Sequence, residues 1–183
     1  MKDFFPLEQG TRCVYKYHSS EFDGPAVVLI TVIKAGKAGP NVRMTTEVKG
    51  DCADSEYTIH KTAKAVISED GIVFGGRTEF PLPAAVGKHW MESGDRSEIV
   101  SLSDKVSVKA GKFSGCMKVE TKIEDSGTAL RWYAPDVGLV REEYNGSNLR
   151  ATVELVEFRP ATVEEMKKPD RRRKSAIRRV KGE

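Results

Sequence analysis

The sequence predicts a mainly β protein: a curved antiparallel meander of about eleven strands, forming a half-barrel or open barrel, with a short basic helical tail. Three observations carry this. Short runs rich in Val, Ile, Thr and aromatics recur from Thr11 to Phe158, parted by Gly, Asp, Asn and Pro. Several runs alternate apolar and polar residues, the period of a strand with one dry face. No segment before residue 160 sustains a helical period.

The elements follow in order. A first strand should begin after FPLEQG, at Tyr15 and Tyr17. PAVVLITVIKA leads through the turn GKAGPN into VRMTTEVKG. EYTIHKTAKAV runs to SEDG, a strong turn, and IVFGG reads as the strand after it. RSEIVSLSDKVSVKAG precedes CMKVETKI, where Met117, Val119 and Ile123 share one face and Lys118, Glu120 and Lys122 the other. Glu124-Asp125-Ser126-Gly127 and Tyr144-Asn145-Gly146-Ser147-Asn148 suit hairpin turns. Between them, ALRWYAPDVGLVREEY should bend at Pro135, because a proline inside a central strand removes a ladder hydrogen bond. LRATVELVEF closes the series. Beyond Pro160, Thr162 and Glu165 form a capping-box pattern, so a short helix ATVEEMKK is expected. Pro169 ends it, and RRRKSAIRRV reads as a second short helix.

The chain has 183 residues, 39% hydrophobic and 31% charged. That is one domain, or one domain with a tail, large enough for a core without metal or disulfide staples. We expect a β domain over residues 1–160 and a basic, partly helical tail over 161–183. Charge supports the division. Residues 167–183 hold nine Lys or Arg and two acids; the other 166 residues hold 21 and 25. The start, MKDFFPLEQG, lacks the charged and apolar parts of an export signal. The expectation is a mature chain of the periplasm or envelope, with a cytoplasmic chain as the alternative.

One motif is written twice. FPLPAAVGKHW, from Phe80, echoes FPLEQGTRCVY, from Phe5: Pro83 and Gly87 fall on Pro6 and Gly10, and Trp90 falls on Cys13. Proline fixes φ and glycine admits a sharp turn, so each copy reads as a device that starts a strand. The alternative is that Trp90 and Trp132 line a ligand groove.

Four features together resemble the TapB-like family of small bacterial β-proteins. They are the two Pro-spacer-Gly copies; Gly111, Phe113, Cys116, Lys118 and Val119 in GKFSGCMKV; WYAPDVGLV from Trp132 to Val140; and the closing ELVEF from Glu154 to Phe158. Cys13 stands where that family usually has Trp. The resemblance implies an exported or lipid-anchored protein without established activity, similar to half-barrel lipoprotein carriers.

Motifs for chemistry are missing. His18, His60 and His89 stand in no zinc-ligand spacing, and there is no nucleophile or phosphate-loop signature. No catalytic residue, metal or cofactor is assigned, and the chain is not expected to be an enzyme. Cys13, Cys52 and Cys116 are too scattered for a redox pair and read as buried residues, or as one bridge plus a thiol. The expected function is a non-enzymatic envelope protein holding an apolar ligand or lipid in its concave face, against Trp90, Trp132, Tyr133 and Tyr15. The alternative is an assembly module. Its tail residues Arg171, Arg172, Arg173, Lys174, Arg178 and Arg179 would dock onto a larger complex, an acidic protein or a membrane surface. Nucleic acid ranks last, since no aromatics are interleaved for base stacking.

Overall fold

The computed structural model of the chain describes residues 2–36 and 39–166. These residues form twelve antiparallel strands: β1 (Thr11–Ser19), β2 (Ala26–Gly36), β3 (Gly39–Val48), β4 (Asp51–Lys61), β5 (Ala65–Ser68), β6 (Arg77–Pro81), β7 (His89–Glu92), β8 (Asp95–Val108), β9 (Gly111–Ile123), β10 (Gly127–Ala134), β11 (Gly138–Gly146) and β12 (Arg150–Pro160). A one-turn helix, α1 (Val163–Met166), follows. No described helix is long and apolar enough to cross a membrane.

The sheet order is β6-β5-β4-β3-β2-β1-β12-β11-β10-β9-β8-β7. Each strand therefore pairs with its neighbours in sequence, and β1 pairs with β12 to join the two halves, from Thr11 opposite Pro160 to Ser19 opposite Ala151. Only one consecutive pair is left without a ladder: β6 and β7, joined by residues 82–88. The result is a nearly closed barrel whose seam lies between them. Both seam strands are short, five and four residues, which limits the unpaired edge each presents.

Turn chemistry places the hairpins. Gly127 pairs with Ile123 after the Glu124–Ser126 turn, and Pro135 sits at the β10–β11 corner, outside either ladder. Two predicted strands are corrected. EYTIHKTAKAV is two strands, because Thr62 Oγ1 accepts the N–H groups of Lys64 and Ala65 (both 3.1 Å) and turns the chain between β4 and β5. IVFGG is not a strand. Gly71 and Gly76 fold residues 69–76 so tightly that a Cβ on Gly76 would lie 2.6 Å from the Glu69 carbonyl oxygen. The segment's apolar side chains turn into the barrel instead: Ile72 and Val73 pack on the buried residues around Tyr15 and Val153, and Phe74 meets Tyr144 edge-on at 4.8 Å.

The two motif copies do the same job. Gly10 N–H donates to the Val32 carbonyl and Gly87 N–H to the Ile99 carbonyl, both at 2.8 Å. Thr11 N–H reaches back to Glu8, and Lys88 N–H to Ala85. Each copy thus closes one turn and starts the first strand of a six-strand run. Phe5 and Leu7 from one copy, and Leu82 and Ala84 from the other, pack on the same buried cluster around Phe80 and Tyr133.

The chain's last described turn is pinned to its beginning. Thr162 N–H donates to the Glu165 carboxylate (2.7 Å) and Glu165 N–H to Thr162 Oγ1 (3.3 Å), a complete capping box. Glu165 also pairs with Arg12 (3.0 Å) and Arg159 (2.8 Å). These cations hold its carboxyl far below the usual range, with the Arg159 hydrogen bonds the largest cause. The second expected helix and the six docking residues of the tail lie outside the described residues.

Candidate functional site

A layer of polar side chains crosses the barrel interior between its apolar clusters. Alternation puts it there. On β10, Arg131 shares the inward phase with Ala129 and Tyr133; on β11, Glu142 shares it with Val140 and Tyr144. Arg131 and Glu142 are directly opposed in the β10–β11 register. From β6, Arg77 and Glu79 enter the same layer. Arg77 Nε donates to Glu79 (3.2 Å), and its Nη1 lies 3.3 Å from Glu142. Tyr133 donates its phenol O–H to Glu79 at 2.6 Å. Arg131 donates to Thr121 Oγ1, which shares a 2.8 Å hydrogen bond with Ser97.

Two arginines thus face two glutamates away from bulk water. Burial raises the Glu79 carboxyl, but the charges of Arg77 and Arg131 and the Tyr133 hydrogen bond outweigh it, and its pKa ends below the ordinary carboxylate value. Tyr133 is raised well above the usual phenol range, chiefly by burial and then by the Glu79 charge. Glu79 is an ionised acceptor and Tyr133 a neutral donor. The layer is incompletely satisfied: Arg131 Nε and both Glu142 carboxylate oxygens are buried without a hydrogen-bond partner.

Arg77 separates two cavities. One, of about 70 Å³, is mainly apolar and is lined by Tyr15, Tyr57, Val42 and Tyr133 among others. It has room for a few water molecules. The other, about 250 Å³, opens beside the seam. Its wall includes Arg131, Ser97 and Thr121, with Phe74, Glu92 and Asp95 also lining it. Here the missing β6–β7 ladder is replaced by one side chain: the Glu92 carboxylate accepts Thr78 N–H (2.8 Å) and Thr78 O–H (3.2 Å).

The four predicted ligand residues do not converge. Tyr15 and Tyr133 line the small apolar cavity, where Tyr15 donates its O–H to the Leu139 carbonyl at 3.0 Å. Trp90 is half-buried on β7 against the cluster around Phe80, with its indole Nε1 buried and unpartnered. Trp132 alternates with Tyr133 and so points away from the layer. Its Nε1 donates to Asp104 (2.9 Å), and Lys118 and Arg141 lie 5.1 and 5.8 Å from its ring. The sequence reading missed Arg77, Glu79, Arg131 and Glu142. On β11 the signal was a charge in the apolar phase, Glu142 between Val140 and Tyr144. On β10 it was blurred because Leu130 and Trp132 make the opposite phase apolar too, and on β6 Arg77 and Glu79 share their phase with no apolar residue but Pro81.

The cysteines are all free. Cys13 and Cys116 are buried, but Cys52 is half-exposed, which corrects the expectation of three buried residues. Among the described residues, no group of three or more His, Cys, Asp and Glu is placed to hold a metal.

No protein-family model and no curated protein matches the chain. Solved structures share its fold, and two of them are described by what they are inferred to be. One is a Bacteroides fragilis protein of YmcC-like fold, inferred to be exported: TM-score 0.60 at 16% identity, covering 87% of this chain and all of that one. The other is a Parabacteroides distasonis protein inferred to be a lipoprotein: TM-score 0.57 at 18% identity, covering 86% of this chain and 99% of that one.

Proposed function

We propose that this chain is a non-catalytic β-barrel of the bacterial envelope that holds a small ligand in the cavity beside its β6–β7 seam. The observation that carries the reading is that cavity itself: about 250 Å³, walled by a buried arginine and the Ser97 and Thr121 hydroxyls, at the one gap in an otherwise continuous ladder. Ligand pockets hold a few convergent polar groups in a preformed concavity of about 300–1,000 Å³, so a ligand here is smaller than drug-sized. An acyl chain in the interior would need space that Tyr133, Phe80, Met117 and Leu155 fill. The proposal therefore moves the ligand from the apolar face to the seam.

The envelope part is supported by what the two fold neighbours are inferred to be and by the TapB-like resemblance. The non-catalytic part is supported by how the interior groups are committed. Glu79 is held by Arg77 and Tyr133, and burial pushes the Cys13 thiol up to about 11, away from a reactive thiolate.

The test is to recover the full chain from a bacterial envelope fraction and examine it by native mass spectrometry. A low-mass adduct is expected, lost in Gly75→Leu. Gly75 lines the cavity, and a Cβ there meets nothing within 4 Å, so the leucine enters open space. Recovery only from the cytosol would overturn the location, and an adduct unchanged by Gly75→Leu would overturn the site.

A further inference from the structure

We infer that the seam cavity takes an uncharged polyhydroxylated ligand, one sugar ring in size; this rests on the reading above that the cavity is a ligand site. The inference comes from charge and donor balance. Arg77 and Arg131 bring two positive charges to the cavity wall, and Glu79 and Glu142 answer both from the same layer. Glu92 and Asp95 add two carboxylates to the lining. An anionic guest would therefore meet no net positive charge and would lie beside two carboxylates. An alkyl guest would cover the Ser97 and Thr121 hydroxyls and the Glu92 and Asp95 carboxylates without offering any of them a hydrogen bond.

A sugar hydroxyl both donates and accepts, so it answers each of these groups. Arg131 is 2% exposed and donates to Thr121 Oγ1, which hydrogen-bonds Ser97, so the wall presents two hydroxyls backed by a guanidinium. The carboxylates keep capacity to accept ligand O–H groups. Glu92 spends its oxygens on one residue, Thr78, and Asp95 Oδ1 accepts Glu124 N–H at 3.1 Å. Phe74 supplies an apolar ring on the same wall for the C–H face of a sugar.

The experiment titrates the full chain with glucose, galactose, mannose and N-acetylglucosamine, their methyl glycosides, glucuronate and inorganic phosphate, followed by ligand-observed NMR. Expected is saturable binding of at least one neutral sugar, little changed between 0.1 and 0.5 M salt and weakened at least tenfold by Gly75→Leu. Ser97→Ala, a second and milder variant, should weaken it several-fold. Equal binding of the methyl glycoside identifies the end of a glycan chain as the guest; binding of the free sugar alone identifies a monosaccharide. Either result supports the inference. Binding of glucuronate or phosphate alone, falling with salt, would overturn the ligand class and leave the seam site standing. Sugar binding untouched by both variants would overturn the seam site itself. No binding of any neutral sugar overturns the inference, while an adduct on the envelope-derived chain would still uphold the site.

Discussion

Glu79 is the residue on which the interior polar layer depends. It faces Arg77 and Tyr133 at once, and removing one partner of a buried ion pair costs about 3–5 kcal/mol because the other charge is left stranded. Glu79→Gln should lose about that much in urea unfolding at pH 7. The pH dependence has a definite sign. The folded carboxyl lies below its ordinary value, so the folded state is stabilised above about pH 4.3, the unfolded value. That contribution is lost as pH falls through the lower, folded value. The gap between wild type and Glu79→Gln should therefore narrow in acid; a gap constant from pH 7 to pH 3 would contradict the assignment. The thiols give a second residue-scale outcome. With a disulfide reagent at pH 8, half-exposed Cys52 should react in the native state. Cys13, buried and pushed up to about 11, and buried Cys116 should wait for denaturant. Fast native labelling of Cys13 would show that its site opens.

At the scale of elements, the two strand starts are the cleanest comparison in the molecule. Gly10 and Gly87 have φ of 87° and 82°, and a Cβ on either meets nothing within 4 Å. Alanine at each should therefore cost only the left-handed backbone penalty, about 1–2 kcal/mol, and the two costs should agree. Gly76→Ala should cost more despite its ordinary φ, since the new methyl would press on the Glu69 carbonyl. Thermal unfolding of the three variants decides it; unequal losses at Gly10 and Gly87 would break the equivalence. This equivalence was legible in the sequence because proline and glycine act through local geometry. The hairpins at Glu124–Gly127 and at Pro135 were legible for the same reason. IVFGG was not, because burial of an apolar loop and burial of an apolar strand leave the same composition, and only the contacts with Tyr144 and the tight Gly76 turn separate them. The site was less legible than the fold. Tyr15 and Tyr133 were named as ligand residues and line a cavity too small for a lipid chain. Arg131 was not read as inward because both phases of β10 are apolar, nor Glu142 because it stands beside Glu143 and two adjacent carboxylates suggest a solvated pair. Their pairing appears only once β10 and β11 are in register.

For the whole molecule, the order of the sheet decides where it yields first. β1 and β12 carry nine registered pairs between residues more than 130 positions apart, and each has a further neighbour on its other side. That junction is expensive to form in chain entropy, so its contacts form late in folding. Once formed it lies in the middle of the sheet, where opening requires global unfolding. The seam is the reverse. β6 and β7 follow one another in the chain, yet they are held across the gap by the Glu92–Thr78 contact rather than a ladder. Hydrogen exchange should therefore show the amides of β6 and β7 exchanging first, through local opening, and those of Cys13–Tyr17 and Val153–Leu155 last. Glu92→Ala should speed exchange of the Thr78 amide at least tenfold and leave the β1–β12 amides unchanged. It should barely change the denaturant slope m, because the surface exposed on global unfolding stays the same. A ligand in the seam cavity should slow the same β6 and β7 amides, by mass action on the closed state. If the β1–β12 amides instead exchange before those of β7, the barrel opens at its chain ends, and the cavity beside Arg131 loses its route to solvent through the seam.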